Sequence, residues 1–406
     1  MMMEFHPLLE AWTAQVLSFR LDGSSKTAQD CALLPGVAGT GFARALRLMQ
    51  AAGRSRLLLC GADEALLPHL DTLPVPFLLV ETRLEHARRL LAMRPGLPLL
   101  ADTSPWALLL LLAATNWMGE AVQPLLTGAL PREHALPRLV RLLQAVHPLA
   151  IPHSPLHFPA SRAGLSLAAI LHPEEPDLAG FFSQLPPWLA EVALVWDAPD
   201  LADLQAVQAQ SGLHALPCPV RQLAHPLTDG FHRQRNRALS LCTGDWVLFL
   251  DADERLPPEA WAALPALMAT PSVAGWWLPR ETLHPDAAHC LMGYGLWPDL
   301  QLRLFRRQDG LHFSGAVHER LQGLTWHKGD PDPITQAIAC RVHIRHEQRL
   351  RKTPEALTAK LARFDAFAAG TRHRLQQDYP VMPRATLHSA MELAPQALRL
   401  PCPPGA

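Results

Sequence analysis

Several features that would quickly narrow the class of protein are missing from this 406-residue chain. Its charges nearly cancel, with a formal net charge of -1. It therefore lacks the basic excess of most nucleic-acid-binding proteins, and we expect no nucleic-acid partner. The seven cysteines are scattered and form no CxxC pair. This pattern argues against a disulfide framework or a thiolate zinc site, and it fits a reducing cytosol.

Long hydrophobic runs are also lacking. The longest one, residues 106–114, has about half the length needed to cross a bilayer, and we interpret it as a buried helix. Residues 1–21 are interrupted by Glu4, His6 and Glu10 and do not have the layout of a signal peptide. We therefore expect a soluble, cytoplasmic protein, and leave peripheral contact with the inner face of the membrane open.

What the chain does have is enough apolar residues, 49% of the total, for two cores. Short apolar runs alternate with helix-patterned segments twice along the chain, which indicates parallel sheets wrapped by helices. The two patterns are separated by a stretch with prolines at 148, 152, 155 and 159, typical of a linker. We predict an α/β domain over 1–146, a linker over 147–163, a second α/β domain over 164–347, and a C-terminal helix with a loosely attached tail over 348–406.

The most informative short motif is a pair of aspartates after an apolar run. Residues 246–250 predict a strand buried on both faces, and Asp251 and Asp253 follow it directly. Ligands of open α/β sheets sit at this end of the strands. Two carboxylates there can bind a hard divalent cation that also binds a diphosphate. A DxD sequence is often only a surface turn, but the strand before it and the basic helix before that strand favour a metal site.

Two stretches extend this motif into a family resemblance. Residues 229–239 (DGFHRQRNRAL) and 243–256 (TGDWVLFLDADERL) resemble the inverting family 2 glycosyltransferases, in particular the branch with lipopolysaccharide core sugar transferases. The resemblance implies a GT-A fold over about 165–363, preceded here by a Rossmann-like α/β domain. It implies Mn²⁺ or Mg²⁺ at Asp251 and Asp253, and a nucleotide-sugar donor bound by Arg235, Asn236 and Asp251.

The acceptor implied by the same resemblance is a glycan, a lipid-linked glycan or a glycoprotein. Residues 297–307 (WPDLQLRLFRR) and 313–319 (FSGAVHE) resemble the acceptor side of the family. An inverting transfer needs one general base to accept a proton from the acceptor hydroxyl. The carboxylate of Glu319, at the end of this block, is our candidate. By themselves His318 and Glu319 would indicate a solvated turn or a structural hydrogen-bonded pair, but the upstream motif favours catalysis by Glu319.

A histidine near the C-terminal helix is a third, weaker match. Residues 341–347 (RVHIRHE) precede a helix that carries Lys360, as a histidine precedes a basic helix in the family. The resemblance implies that this histidine completes the metal site or contacts the diphosphate. Spacing to Lys360 favours His346, whereas His343 would face the same side only after a shift of strand register.

The loops that would read the nucleotide depart from the family pattern. After the first strand, Glu174 and Glu175 keep an acidic pair, but the aromatic residue and the asparagine that usually precede the pair are missing. Asp197 keeps the acid at the end of the second strand, but a proline replaces the flexible turn that follows. We therefore expect Glu174 and Asp197 to contact the donor, without a prediction of its base.

The first domain alternates strands and helices as a Rossmann-like nucleotide-binding fold does, but its phosphate loop is poor. Glu81 ends its predicted second strand, where such folds bind ribose, and Asp102 ends the third. The loop at 60–65 has one glycine and two acids, whereas cofactor loops need several glycines. We predict a degenerate domain. The alternatives are a methyltransferase in this domain, or a non-catalytic protein that binds nucleotide sugars or glycans.

Overall fold

The computed structural model describes residues 5–20, 47, 49–61, 64–127, 134–152, 164–271, 273–315, 319–325, 336–367 and 379–400. The chain divides into two compact units. The first contains 1–149, 288–299 and 378–396, and the second contains 150–287, 300–377 and 397–406. Each unit is thus assembled from separate stretches of chain, unlike the contiguous segments that we predicted. Local sequence patterns do not reveal that the chain re-enters an earlier unit, because contacts between distant segments create this arrangement.

The first unit is built around four parallel strands whose spatial order is 3-2-1-4 along the chain. Buried leucines dominate them, and they alternate with helices as predicted. The segment after the first strand is a 3-10 helix with Pro68 inside it. The strands are Arg56–Cys60, Phe77–Glu81, Leu99–Ala101 and Val122–Leu126, and the helices around them are Pro7–Ser18, Glu64–Thr72, Leu84–Met93, Pro105–Ala114 and Ala135–Ala145.

Two later stretches complete the first unit and correct two predictions. Strand His289–Leu291 pairs with Val381–Pro383, and helix Arg384–Met391 follows, with Leu387 and Met391 almost fully buried. The predicted loose tail is therefore wrong over 379–396, because its apolar side chains pack into this unit. In the predicted linker, His147–Leu149 is a short strand, and residues 153–163 lie outside the described part.

The second unit has a mixed sheet, with a parallel half and a largely antiparallel half. The parallel half has the order Val220–Ala224, Glu191–Trp196, Leu165–Leu171, Trp246–Phe249. The sheet continues through Leu300–Arg306, Gly275–Thr282, Gln336–Ala339 and Ala397–Arg399. Strand Trp246–Phe249 is buried on both faces as predicted, but it lies where the two halves meet.

Helices and short strands surround this sheet. A close approach of Gly244 supports the start of strand Trp246–Phe249: a Cβ atom at Gly244 would lie 2.5 Å from the carbonyl oxygen of Gly164. No helix in the described part of the chain is both long and apolar enough to cross a membrane. The helices are Leu178–Ser183, Gln205–Ser211, Phe231–Leu241, Pro258–Ala269, Gln348–Arg351 and Pro354–Phe367, with 3-10 turns at Ala202–Leu204 and Leu213–Ala215, and the short strands are His312–Ser314, Arg320–Gln322, Glu254–Arg255 and Ile344–His346.

Helix Phe231–Leu241 packs on the parallel half of the sheet. Its buried Ala238 contacts a cluster that includes Val195, Val247 and Phe249. On the same helix, the guanidinium of Arg235 stacks over the ring of Phe249. This packing places Arg235 near the carboxyl end of the strand that precedes Asp251.

Candidate active site

A tight turn at the end of strand Trp246–Phe249 presents the two aspartates of the DxD motif. The backbone N–H of Glu254 donates to the carbonyl of Asp251 (2.9 Å), and that of Asp251 donates to the Glu254 carboxylate (3.1 Å). Strand Glu254–Arg255 then pairs with Ile344–His346, which brings Glu254 opposite His346. The turn thus holds both aspartates at the carboxyl edge of the parallel strands, where the sequence predicted a site.

Asp251 lies between two guanidinium groups. Arg235 donates to one carboxylate oxygen (2.9 Å), and Arg303 donates to the other (2.5 Å). Burial opposes ionisation, but Arg235 and Arg303 outweigh it, and the pKa of Asp251 lies well below its usual range. The carboxylate form of Asp251 is therefore maintained at neutral pH.

Asp253 is surrounded by nitrogen groups on the segment after residue 343. Lys360 donates to its Oδ2 (3.0 Å), Lys352 lies 4.0 Å from the same oxygen, and His346 Nε2 lies 3.6 Å from its Oδ1. Burial works against ionisation, but Lys360 and His346 outweigh it and hold the pKa of Asp253 well below its ordinary value. Like Asp251, Asp253 is an ionised carboxylate.

Of the two candidate histidines, the structure brings His346 to the aspartates. Its Nδ1 is hydrogen-bonded to the hydroxyl of Thr282 (3.0 Å), which fixes the ring and leaves Nε2 toward Asp253. His343 lies instead 2.9 Å from buried Glu281. The strand register decided between them, since Glu254 pairs opposite His346.

The donor set near Asp253 fits a divalent cation. Two atoms that each bind one ion at about 2.1 Å lie between about 3 and 4 Å apart, and the Oδ1–Nε2 separation of 3.6 Å falls in that range. This separation between Oδ1 and Nε2 is too long for a hydrogen bond. The bond of Nδ1 to Thr282 is the kind of outer contact that orients histidine ligands of metals.

Glu319 lies close to the same group of residues through Arg235. Its carboxylate is 3.8 Å from Nε of Arg235, whose Nη2 binds Asp251. The guanidinium stacks over the ring of Phe249 (4.7 Å) and lies 5.8 Å from that of Phe313. One arginine therefore contacts both the predicted base and a predicted metal ligand. His318, the other member of the predicted pair, lies outside the described residues.

The other two arginines of helix Phe231–Leu241 point in directions different from that of Arg235. Arg237 forms an ion pair with Asp229 (2.6 Å), and Arg233 is exposed. Gln234 is fully buried and donates to the carbonyl of His225 (2.5 Å). Only Arg235 of the three arginines contacts Asp251, because residues two apart on a helix face different directions.

Asn236, which we predicted to bind the donor, forms two hydrogen bonds to the backbone of Phe313. Its amide nitrogen donates to the carbonyl of Phe313 (2.9 Å), and its amide oxygen accepts from the N–H of Phe313 (2.6 Å). Both ends of the amide are thus bound to one backbone residue, and Asn236 joins the helix to strand His312–Ser314. The sequence placed Asn236 correctly next to the site but could not show this partner.

Glu174, the acid predicted to contact the donor, and its neighbour Glu175 lie in different surroundings. The side chain of Glu174 is 88% exposed, whereas Glu175 accepts from Lys352 (2.9 Å), the lysine near Asp253. Glu175 is thus the acid of this pair that the structure connects to Asp253, and donor binding by Glu174 stays a prediction. Asp197 lies at the end of its strand as predicted and accepts from the N–H of Leu227 (2.7 Å).

A buried ionic layer beneath Asp251 was missed by sequence reasoning. Glu254 is fully buried and lies 2.6 Å from Arg303 and 3.0 Å from Arg280. Such a buried acid needs both partners, since an unpaired charge there costs several kcal/mol. The position of Glu254 directly after the DxD pair was the available signal; Arg280 could be found only from the sheet.

In the first unit, the two strand-end acids already have partners. Glu81 is fully buried and binds the side chain and the backbone N–H of Arg83. Asp102 accepts from Trp12 Nε1 (3.0 Å) and from the N–H of Ser104 (2.8 Å), and burial raises its pKa to about 7. Both carboxylates therefore form hydrogen bonds within the first unit.

A mixed sheet with 3-2-1-4 parallel order and a DxD turn at its carboxyl edge defines the second unit as a GT-A-type α/β fold. Residues 186–285 match the model of glycosyl transferase family 2, a stretch that includes both aspartates. This match falls within the second unit and agrees with the resemblance found in the sequence.

Two curated proteins are similar over part of the chain. A lipopolysaccharide core biosynthesis glycosyltransferase, LpsC from Rhizobium meliloti (strain 1021), is 34% identical over 108 residues, which is 25% of this chain and 37% of that protein. A TPR repeat-containing protein from Synechococcus elongatus is 36% identical over 92 residues, 22% of this chain and 21% of that protein. The chain thus spans well under half the length of each.

Solved structures resemble about a third of the chain. TarS 1–349 from S. aureus, in complex with UDP-GlcNAc, is 19% identical, with 30% of this chain and 36% of that chain covered and a TM-score of 0.26. The mannosyltransferase PcManGT from Pyrobaculum calidifontis, in complex with GDP-Man and Mn²⁺, is 22% identical, with 33% and 39% covered and a TM-score of 0.27.

Proposed function

We propose that this protein is a metal-dependent, inverting glycosyltransferase that moves a sugar from a nucleotide-sugar donor to a glycan acceptor. The observation that carries the proposal is the convergence of Asp251, Asp253, His346 and Glu319 at one edge of the sheet. These residues come from three distant stretches of the chain, and a surface turn would not gather them.

The first part of the site would hold a divalent cation, Mn²⁺ or Mg²⁺. Asp251, Asp253 and His346 supply the oxygen and nitrogen atoms that such ions bind. When bound, the cation would neutralise charge on the departing diphosphate. Arg235 and Arg303 provide fixed positive charge beside Asp251, where guanidinium groups suit phosphate oxygens.

The second part of the site would move the proton. The acceptor hydroxyl attacks the anomeric carbon from the face opposite the diphosphate, and its proton passes to the Glu319 carboxylate. The new C–O bond forms as the bond between the anomeric carbon and the phosphate oxygen breaks, and the electron pair leaves with the nucleoside diphosphate. Attack from the opposite face inverts the configuration. Arg235 holds Glu319 near Asp251 for this step.

The acceptor class rests on the partial similarity to a lipopolysaccharide core transferase. A sugar of a bacterial envelope polysaccharide fits that relative, and a glycoprotein acceptor is the other candidate. Glu175 and Asp197 follow two adjacent parallel strands at their carboxyl ends, the edge at which open α/β sheets bind ligands, and this position supports a role for them in donor binding. A cytoplasmic location with peripheral membrane contact stays a prediction.

The test is a thermal-shift panel of UDP-, GDP-, ADP- and CMP-sugars with and without Mn²⁺. A donor that binds only the folded state raises the melting temperature by mass action. The donor found in this way is then tested for release of nucleoside diphosphate. We expect release to need Mn²⁺ and to be lost in Asp253→Ala; a protein that no nucleotide sugar stabilises with any metal would contradict the proposal.

One observation favours a second candidate, a protein that binds nucleotide sugars without turning them over. Both oxygens of Asp251 are ion-paired, so a cation must compete with Arg235 and Arg303 for them. Under this alternative, the panel would still show stabilisation, but nucleoside diphosphate would not be released. The release assay therefore separates the two functions.

A further inference from the structure

Asn236 and Phe313 are joined by two hydrogen bonds between the side-chain amide of one and the backbone of the other. An asparagine amide carries a donor and an acceptor side by side, as a backbone peptide does. Asn236 uses both on the N–H and the carbonyl of one residue, at 2.6 and 2.9 Å. The side chain of Asn236 therefore pairs with the edge of strand His312–Ser314 as a neighbouring strand would, although Asn236 lies on a helix.

These two hydrogen bonds lie on the free edge of a small hairpin. Strand His312–Ser314 pairs with Arg320–Gln322, with Phe313 opposite Leu321. The N–H and carbonyl of one strand residue point to the same side, and those of Phe313 point to Asn236. Phe313 is thus held by the paired strand on one side and by the helix on the other.

This hairpin sets the position of Glu319. Ser314 pairs with Arg320, the residue directly after Glu319, so the second strand of the hairpin begins next to the residue that carries the carboxylate. Gly315, directly after the first strand, has φ +98°, a conformation that glycine adopts readily. A shift of Phe313 would therefore move Glu319.

The same helix position is tied to the DxD strand. Arg235, directly before Asn236, binds Asp251 at 2.9 Å and lies 3.8 Å from Glu319. The ring of Phe313 packs edge-on against that of Phe249 (5.4 Å), on the strand that leads to Asp251. The helix is thus connected to both halves of the site through two adjacent residues.

We propose that Asn236 is a positioning residue that sets the distance between the Glu319 carboxylate and the aspartates through the backbone of Phe313. The inference rests on the proposed function, since it takes Glu319 as the base. In this inference the amide of Asn236 acts on the backbone of Phe313 and needs no contact with the donor.

The experiment compares Asn236→Ala and Asn236→Asp with a control on the same helix, Ser240→Ala, whose hydroxyl is exposed and bonds only within the helix. Asn236→Asp keeps the acceptor for the Phe313 N–H but places a carboxylate oxygen against its carbonyl. Displacement of a catalytic group by about 1 Å can cost about 10²-fold in rate. We expect kcat to fall about 10²-fold in both variants, with donor KM and Mn²⁺ affinity within about 3-fold of wild type.

A double variant separates positioning of Glu319 from a general loss of structure. If Asn236 acts through Glu319, Asn236→Ala should cost little more in a Glu319→Gln background, because residues that act as one unit are not additive. A full second loss of about 10²-fold in that background would overturn the inference. So would a tenfold loss of donor or Mn²⁺ affinity, or a kcat equal to wild type.

Hydrogen exchange of the Phe313 amide gives a readout without turnover. The wild-type amide should be protected by Asn236, and both variants and the control should keep the wild-type melting temperature within a few degrees. If Asn236→Ala does not fold, Asn236→Asp carries the test. Absence of turnover in the wild-type protein contradicts the proposed function, whereas turnover that Asn236→Ala leaves unchanged overturns this inference alone.

Discussion

Lys360 Nζ lies 3.0 Å from Oδ2 of Asp253, so an ammonium group contacts a carboxylate that we assign to a metal ion. Burial disfavours the charged lysine, but Asp253 outweighs it and raises the Lys360 pKa. Lys360 thus acts as an internal counter-ion, which a divalent cation must displace or share.

The first prediction concerns this competition. In Lys360→Met, the Asp253 carboxylate loses its nearest positive charge, and we expect Mn²⁺ to bind about tenfold more tightly, equivalent to about 1.4 kcal/mol. Lys360→Arg keeps the charge and should bind Mn²⁺ as the wild type does. Titration with Mn²⁺ alone, followed by the paramagnetic signal of the free ion, measures both; weaker binding in Lys360→Met would show that the lysine does not compete.

The second prediction distinguishes the two histidines. Because His346 Nε2 faces Asp253, we expect His346→Ala to weaken Mn²⁺ binding about 10-fold or more, and Thr282→Val to weaken it less, through loss of the bond that orients the ring. The matched control is His343→Ala, which loses its contact with Glu281. This variant should lower the melting temperature yet leave Mn²⁺ affinity within about 2-fold; the reverse pattern would assign the metal to His343.

The third prediction concerns the base. Glu319→Gln keeps the size of the side chain but cannot accept the proton, and general base catalysis is worth about 10²- to 10⁴-fold. We expect kcat to fall within that range while donor and Mn²⁺ affinities stay near wild type. Kinetics and the thermal-shift panel on the same variant check both statements. A wild-type rate in Glu319→Gln would exclude Glu319 as the base.

The fourth prediction concerns the first unit and pH. Burial raises the Asp102 pKa from an ordinary 3.8 to about 7, so the folded protein holds this proton more tightly than the unfolded chain does. The stabilisation from the proton is therefore complete below about pH 4 and is lost as pH rises toward 7. Over this window it amounts to at most about 4 kcal/mol.

Its test is a comparison of wild type with Asp102→Asn. The asparagine side chain cannot ionise, so the free energy of unfolding should depend less on pH between about 4 and 7. The stability of the variant should therefore increase relative to that of wild type as pH rises. Chemical denaturation at several pH values measures the difference. Parallel pH profiles of the two proteins would show that Asp102 does not titrate in this window.

Local patterns predicted most of the strands and helices of both units. The apolar run at 246–250, the basic helix before it and the alternating strands of the first unit all appear where periodicity and turn residues placed them. They could be predicted because each depends on residues within one short window. The DxD pair was located in the same way, since a strand end is a local feature.

What the sequence determined by itself is therefore the α/β character of the chain and the position of Asp251 and Asp253 at a strand end. Only the tertiary structure decided that Asn236 binds Phe313, that His346 rather than His343 faces Asp253, and that Glu175 rather than Glu174 reaches Lys352. Each of these depends on strand register or on packing between segments far apart in the chain. A shift of one residue would reverse such a choice without changing the local pattern.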